Sequence, residues 1–227
     1  MLAADDIELL AGVTSDTRKR LLARAELEIV ASGTLIVEEG DQLQKLHIIR
    51  KGVVELSANV AGNRATIALL GHGDSFILAA VVTNGPALMT ARPMGNAEIV
   101  HIPAELFRRC MRRDPGLLIN ASHELGRGFR RMVRHLRDQK LRSTNQRLAA
   151  YLVRLHREQN EDGLVHLTLR KHVVASLLGM QPASLSRAFA ELQDLGVKVK
   201  GDVVRIADPE VLQRYAGMAS EIDDWDT

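Results

Sequence analysis

Along the first half of the chain the apolar positions change rhythm. Between Ile7 and Ala25 they fall at helical spacing, with Leu9, Leu10, Leu21 and Leu22 as the apolar side, and short helices are predicted there. From Glu26 the pattern becomes short apolar or alternating runs at residues 34–37, 46–49, 53–56 and 65–69. Gly33, Gly40-Asp41, Gly52, Gly62-Asn63, Gly71 and Gly73-Asp74 punctuate them. Strands this short, each ended by a turn residue, predict an antiparallel sandwich or roll. Gly62-Asn63 marks a tight hairpin, and the last strand is expected at residues 99–102.

Helical spacing returns after Pro103, and Asp114-Pro115 announces a fresh helix with proline in its first turn. Leu118, Ser122, Leu125, Phe129, Met132, Leu136 and Gln139 follow at alternating intervals of four and three. That is the seam of a coiled coil over about three heptads. It predicts parallel pairing with a second copy through Leu118, Leu125, Phe129, Met132 and Leu136. A single amphipathic helix lying on its own domain would carry the same stripe, so both readings stand at this level. Arg127, Arg130, Arg131, Arg134 and Arg137 flank the seam as a solvated face. The seam ends at residues 138–143, where a hinge is expected, and a further helix spans residues 144–157.

Residues 169–192, LRKHVVASLLGMQPASLSRAFAEL, hold the most specific pattern. Two helices crossing at close range need a small residue in the first, and Ala175 supplies it. Gly179, four positions on, provides the turn. Leu185, six further, packs back, and Pro182 opens the second helix. This is the spacing of a helix-turn-helix. On the second helix Leu185, Ala188, Phe189 and Leu192 form the inner face. Ala183, Ser186, Arg187 and Ala190 form the outer one. Small outer residues let a helix sit deep in the major groove, and the Arg187 fork matches guanine O6 and N7. Ser184 and Ser186 are placed for bases or phosphates. Gln181 stands at the helix entrance, and Arg170 and Lys171 open the first helix where phosphate contacts arise. Residues 197–200 and 203–206 alternate around Gly201-Asp202, a hairpin wing with Lys198 and Lys200 on one face.

Charge sharpens this picture. The chain of 227 residues has a net charge of only +2, but residues 1–100 hold 9 Lys/Arg against 12 Asp/Glu, and residues 101–227 hold 21 against 16. A basic second half suits a polyanion partner, double-stranded DNA. The single Cys110 gives no disulfide framework and no thiolate cage for zinc or an iron–sulfur cluster. No apolar run reaches the ~18 residues of a membrane span, and a cytoplasmic protein with no membrane partner is expected. His47, His72 and His101 are isolated in sequence, so no His-x-His metal spacing supports a cupin-like metalloenzyme. No catalytic residues and no metal ligands are assigned.

The order of β-roll, long helix and winged helix-turn-helix resembles the CRP/FNR family of transcription regulators over about residues 7 to 206. The resemblance rests on Gly33, Gly40-Asp41, residues 46–49, Gly52 and Gly73-Asp74 in the roll, and on residues 181–187, QPASLSR. It implies an α+β protein: an antiparallel, cyclic-nucleotide-binding-like β-roll sensor at 1–114, a dimerisation helix at 115–140, a winged helix-turn-helix at 141–216, and an acidic tail at 217–227. Its acidic end, residues 221–227, is read as solvated. The resemblance further implies a homodimer on a palindromic operator with Arg187 reading guanine, Ser186 suggesting a TTGA-like half-site, and RNA polymerase as partner of an activator. Ala183 replaces a frequent base-reading glutamate.

The departures bear on the effector. Aligning on Gly73-Asp74 puts Ile77 and Leu78 where the family's nucleotide binders have Gly-Glu. Leu88 and Met89 fall where they have Arg-Ser, and Met132 where a hydroxyl would meet adenine. Burying a cyclic phosphate with no cation partner is costly, which disfavours cyclic AMP; a cyclic-nucleotide reading would need another anchor, such as Arg92. The apolar set Ile77, Leu78, Leu88, Met89 and Met132 resembles instead the nitric-oxide-responsive Nnr/Dnr-type regulators, in which haem is the sensor. His47, His72, His101, His123 and His135 are then the candidate ligands. The same apolar residues would serve equally as roll core.

Overall fold

In the computed structural model, residues 7–159 and 163–223 are described. Tertiary contacts divide the chain into two units, residues 1–128 and 129–227. The expected boundaries set the long helix apart, whereas the packing divides it.

In the first unit a 3-10 turn at Glu8–Leu10 and helix α1 (Ser15–Leu22) precede β1 (Glu26–Val30), β2 (Lys45–Lys51), β3 (Val54–Val60), β4 (Asn63–Leu70) and β5 (Ser75–Phe76). Helix α2 (Leu78–Thr83), β6 (Thr90–Pro93), β7 (Ala97–Pro103) and α3 (Ala104–Met111) follow. Two antiparallel sheets result, ordered β1-β7-β2-β5 and β4-β3-β6. Because α2 and α3 pack on β2, and α3 also packs on β7, these strands are buried almost continuously instead of alternating. The cross-strand row Glu26, His101, His47, Phe76 runs over one face of the first sheet.

Two strand-level expectations are corrected. Residues 34–37 form no strand; a single bridge joins Val37 to Ala91. Beyond it the backbone ladder gives way to side-chain bonds, Glu38 N donating to the Asp41 carboxylate and Glu39 N to Thr90 Oγ1. The β3–β4 hairpin turns on Ala61 and Gly62, one residue earlier than predicted, since Asn63 already pairs with Val60. Both turn residues have positive φ, +51° and +84°, as a two-residue hairpin of this hand requires.

Helix α4 (Pro115–Leu141) starts where the Asp114-Pro115 pair predicts. Asp114 Oδ1 accepts from the amides of Gly116 (3.0 Å) and Leu117 (3.3 Å), and Oδ2 accepts from Thr14 N (3.0 Å) and Oγ1 (2.7 Å). These bonds, those from Thr14 foremost, hold the Asp114 carboxyl well below the usual carboxylate range. Leu117 and Ala121 enter the roll core, and Glu124 Oε1 accepts from both N and Oγ of Ser75, each at 3.0 Å.

The second unit takes the rest of α4 and adds α5 (Thr144–Gln159), β8 (Leu164–His166), α6 (Lys171–Leu177) and α7 (Pro182–Glu191). Strands β9 (Val197–Lys200) and β10 (Val203–Ile206) and helices α8 (Pro209–Tyr215) and α9 (Ser220–Asp223) complete it. Its core gathers Leu148, Leu152, Val174, Leu185, Val204 and Leu212. The corner between α4 and α5, expected to be a hinge, is heavily cross-linked. Arg142 bonds Asp138, Asp223 (2.8 Å) and the carbonyls of Ala216 (2.9 Å) and Gly217 (3.1 Å), while Arg154 bonds Asp138 at 2.8 Å.

That network also corrects the reading of the acidic tail as solvated. Asp223 is only 2% exposed. Burial alone would raise its pKa, but hydrogen bonds from Arg142 and from the Ala219 amide outweigh it and hold the carboxyl ionised. The sequence pattern showed acidic residues without showing which arginines wait for them. Residues 224–227 of that segment lie outside the described residues.

Candidate nucleic-acid interface

The two helices of the predicted motif meet as the small residue and the glycine require. Ala175 is fully buried where α7 crosses α6. Helix α6 then stops in a Schellman turn: Met180 N donates to Ala175 O and Gly179 N to Ser176 O, both at 2.9 Å, with Gly179 at φ +62°. A side chain at Gly179 would be strained by that φ and would also collide with Gln139. Gln181 caps α7 through its backbone carbonyl, accepting from Ser184 and Leu185 amides, and Pro182 occupies the first turn.

Burial along α7 separates the two predicted faces. Leu185, Ala188, Phe189 and Leu192 are buried; Gln181, Pro182, Ala183, Ser186, Arg187 and Ala190 are exposed, and Ser184 is half-buried. Arg187 Nη2 donates to Ser184 Oγ at 3.2 Å, and Ser186 Oγ donates to the Pro182 carbonyl at 3.2 Å. Of the five guanidinium donors, one is thus used within the helix, and the side chain is exposed. Arg170 and Lys171 are exposed at the start of α6, with the Lys171 ammonium 6.0 Å above the Phe189 ring, a separation at which the ring attracts the cation.

The wing is a three-stranded sheet ordered β8-β10-β9. Lys198 and Lys200 are exposed on one face of β9, and Arg205, directly opposite Lys198 across the ladder, is exposed as well. Arg205 escaped the sequence reading, although pairing the two wing strands around Gly201-Asp202 would have placed it there. Strand β8 was also missed, being only three residues long.

The residues assigned to an effector pocket fall in both units. Ile77 and Leu78 are buried in the roll core, Met89 packs partly against it, and Leu88 is 75% exposed. Met132 belongs to the second unit and is 45% exposed. Ile77 caps α2 in the left-handed region, φ +59°, a conformation that a β-branched residue resists and glycine accepts. That is the position where the nucleotide binders' Gly-Glu was aligned.

Two histidines that are isolated in sequence meet in the fold. His47 and His101 are cross-strand partners, both buried, with Nδ1 atoms 2.8 Å apart. His101 Nε2 lies 3.1 Å from Glu28 Oε2, and the His47 ring stacks on Phe76 at 4.9 Å. Burial above all, then the His101 and Lys45 charges, pushes His47 down to about 3. His72 Nδ1 donates to the Arg50 carbonyl at 2.6 Å, and its ring is exposed like that of His123. Among the described residues no cluster of three or more His, Cys, Asp or Glu is arranged to hold a metal ion.

Comparison with known proteins bears on both units. Residues 27–114 match the cyclic nucleotide-binding domain family, and residues 146–215 match the Crp-like helix-turn-helix domain family. A structure from Silicibacter pomeroyi DSS-3, assigned as a cAMP-binding regulatory protein, is 30% identical, with 95% of this chain and 97% of that chain covered and a TM-score of 0.59. The chain belongs to the CRP/FNR family of transcription regulators. The cyclic AMP receptor protein of Thermus thermophilus is 26% identical over 94% of this chain and 95% of its own length. FixK2 from Bradyrhizobium japonicum shares the fold at a TM-score of 0.73 and 16% identity, covering 86% of this chain and 98% of its own. As a CRP/FNR protein the chain is a DNA-binding transcription regulator with a sensor domain. Its homologues are regulators and not enzymes, which sets aside the cupin-like alternative. No helix among the described residues is long and apolar enough to cross a membrane.

Proposed function

We propose that this CRP/FNR regulator acts as a homodimer, paired through Leu118, Leu125, Phe129, Met132 and Leu136 of α4, and reads a palindromic operator with two copies of α7. The observation that carries the reading is the outer face of α7, where Ala183, Ser186 and Ala190 leave Arg187 standing clear of small neighbours. Such a face enters a major groove, where Arg187 pairs with guanine O6 and N7. Lys198, Lys200, Arg205, Arg170 and Lys171 contact phosphates and add affinity but no sequence preference. Two-fold symmetry sets half-sites one helical turn, ~34 Å, apart. The dimer reading is supported by Phe129 at 71% and Leu136 at 55% exposure, on the predicted seam.

A TTGA-like half-site, a cytoplasmic setting, and contact with RNA polymerase where the protein activates belong to this reading. Electrophoretic shifts with palindromes of TTGA-like half-sites test it. Tight, spacing-dependent binding is expected, and equal affinity for scrambled DNA overturns it.

For the effector, the apolar residues at the Gly-Glu and Arg-Ser positions favour a ligand other than a cyclic nucleotide. Arg92, the alternative phosphate anchor, already donates to the Gly33 carbonyl at 3.0 Å. Nitric oxide sensing through haem, as in Nnr/Dnr-type regulators, finds little support in the roll: its two buried histidines are committed to each other and to Glu28, His72 and His123 are exposed, and half-buried His135 lies on α4 in the second unit. Calorimetry with cyclic AMP and cyclic GMP, beside haem titration followed by absorption, discriminates: saturable binding of either nucleotide overturns the first statement, and a saturable Soret band overturns the second.

A further inference from the structure

Helix α7 is seated by Leu185, Ala188 and Phe189, which sink into the core of the second unit. Apolar contact has no direction, so this face alone leaves a ten-residue helix room to slide and tilt by small amounts. Gln139 and Asn145 hold its two ends. Before the N-terminal end, the Gln139 carboxamide lies directly over the turn that leads into α7. Its Oε1 and Nε2 are 2.5 Å, and its Cδ 2.8 Å, from where a Cβ would stand on Gly179. At the C-terminal end, Asn145 Nδ2 donates to the Glu191 carboxylate, a charge-assisted and directional bond.

Both anchors come from the corner between α4 and α5. Gln139 lies two residues before the end of α4, and Asn145 is the second residue of α5. Between them Arg142 ties Asp138 to Asp223, and Arg154 of α5 bonds Asp138 as well, so the corner that carries the anchors is itself braced. Gln139 stands at the end of the heptad stripe, yet its carboxamide is used on the helix-turn-helix of its own chain.

We propose that Gln139 and Asn145 are positioning residues for operator binding. They fix the pose of α7 on the end of α4, and thereby the distance and angle at which two copies of α7 meet the duplex. The inference rests on the homodimer reading above. Helix α7 is ~15 Å long and a base-pair step is ~3.4 Å, so a slip of an ångström or two at either anchor is a sizeable part of one step. Such a slip changes which half-site spacing is matched. It leaves the base-reading face intact, because Ala183, Ser186 and Arg187 are held by α7 itself.

The test is a spacer series: palindromes of a TTGA-like half-site with the spacing changed one base pair at a time, beside a single half-site, titrated with the full chain. Wild-type affinity should peak at one spacing. With Gln139→Ala and Asn145→Ala together, the peak should fall several-fold and neighbouring spacings should approach it. Affinity for the single half-site and its preference for guanine should stay as in the wild type. Asn145→Asp sets two carboxylates against each other and should flatten the profile more than Asn145→Ala. Adding Glu191→Gln to Asn145→Asp restores a donor opposite an acceptor and should bring the peak back. A profile unchanged in these variants overturns the proposal. So does lost guanine preference at the single half-site, which would make both residues supports of the helix-turn-helix fold alone. Should the double alanine variant unfold, the Asn145→Asp pair decides, and a peak that Glu191→Gln does not restore counts against the proposal. A wild-type protein with no preferred spacing overturns the homodimer reading before any variant is made, and this inference with it.

Discussion

His47 and His101 face one another across β2 and β7 with their Nδ1 atoms 2.8 Å apart, so one nitrogen carries a proton and the other accepts it. A further proton would set two N–H groups against each other in a buried place. Both rings are held below their ordinary pKa, burial being the leading cause. The folded state therefore keeps His47 neutral down to about pH 3, whereas the unfolded chain takes up a proton near pH 6.5. Stability from this pair is present above pH 6.5 and is lost as pH falls from there toward 3, by up to ~1.4 kcal/mol per pH unit for each proton. Urea unfolding at pH 7.5 and 5.5 should show that loss in the first unit, and His47→Gln should flatten it. His72→Gln, on an exposed ring, serves as control; equal slopes in all three proteins would contradict the argument.

Arg187→Ala should cost ~1–3 kcal/mol of operator affinity and relax the preference at one base pair. The thermal midpoint should hardly move, because the side chain is exposed and, among the described residues, bonds only Ser184. Arg187→Lys should recover little, lacking the planar fork. Competition binding against operators changed at each position is the measurement.

Phe129→Glu and Leu136→Glu should shift sedimentation from dimer to monomer at micromolar concentration without unfolding the chain, since both residues are exposed in one copy. Operator affinity should fall in parallel. Two variants that both stay dimeric would move the interface off this stripe.

The corner cluster gives a stability prediction. Arg142→Met leaves Asp138 and Asp223 buried beside Arg154 with a principal partner gone. Removing one member of a buried ion group costs ~3–5 kcal/mol, seen as a lowered unfolding midpoint of the second unit in calorimetry. Added salt should change the wild-type midpoint little, because buried pairs are weakly screened.

The helix-turn-helix was legible because its signal is local. Ala175, Gly179 and Leu185 stand at intervals fixed by two crossing helices, and each takes the expected place. The stripe from Leu118 to Leu136 was legible for the same reason, since spacing alone defines a helical face. What stayed hidden depends on register between distant segments. His47 and His101 are 54 positions apart, and only the pairing of β2 with β7 makes them partners. Asp223 looked like solvated charge until the fold carried it to Arg142, 81 positions away. Residues 34–37 had the composition of a strand but found hydrogen-bond partners on one side at only two places.

The third strand of the wing has a consequence for how the protein meets its target. Anchoring β10 between β8 and β9 fixes the backbone that presents Lys198, Lys200 and Arg205, so little disorder remains to be removed when they reach the duplex. Association through this element should therefore resemble the meeting of two preformed shapes, with a small heat-capacity change per unit of contact area, instead of folding driven by the nucleic acid.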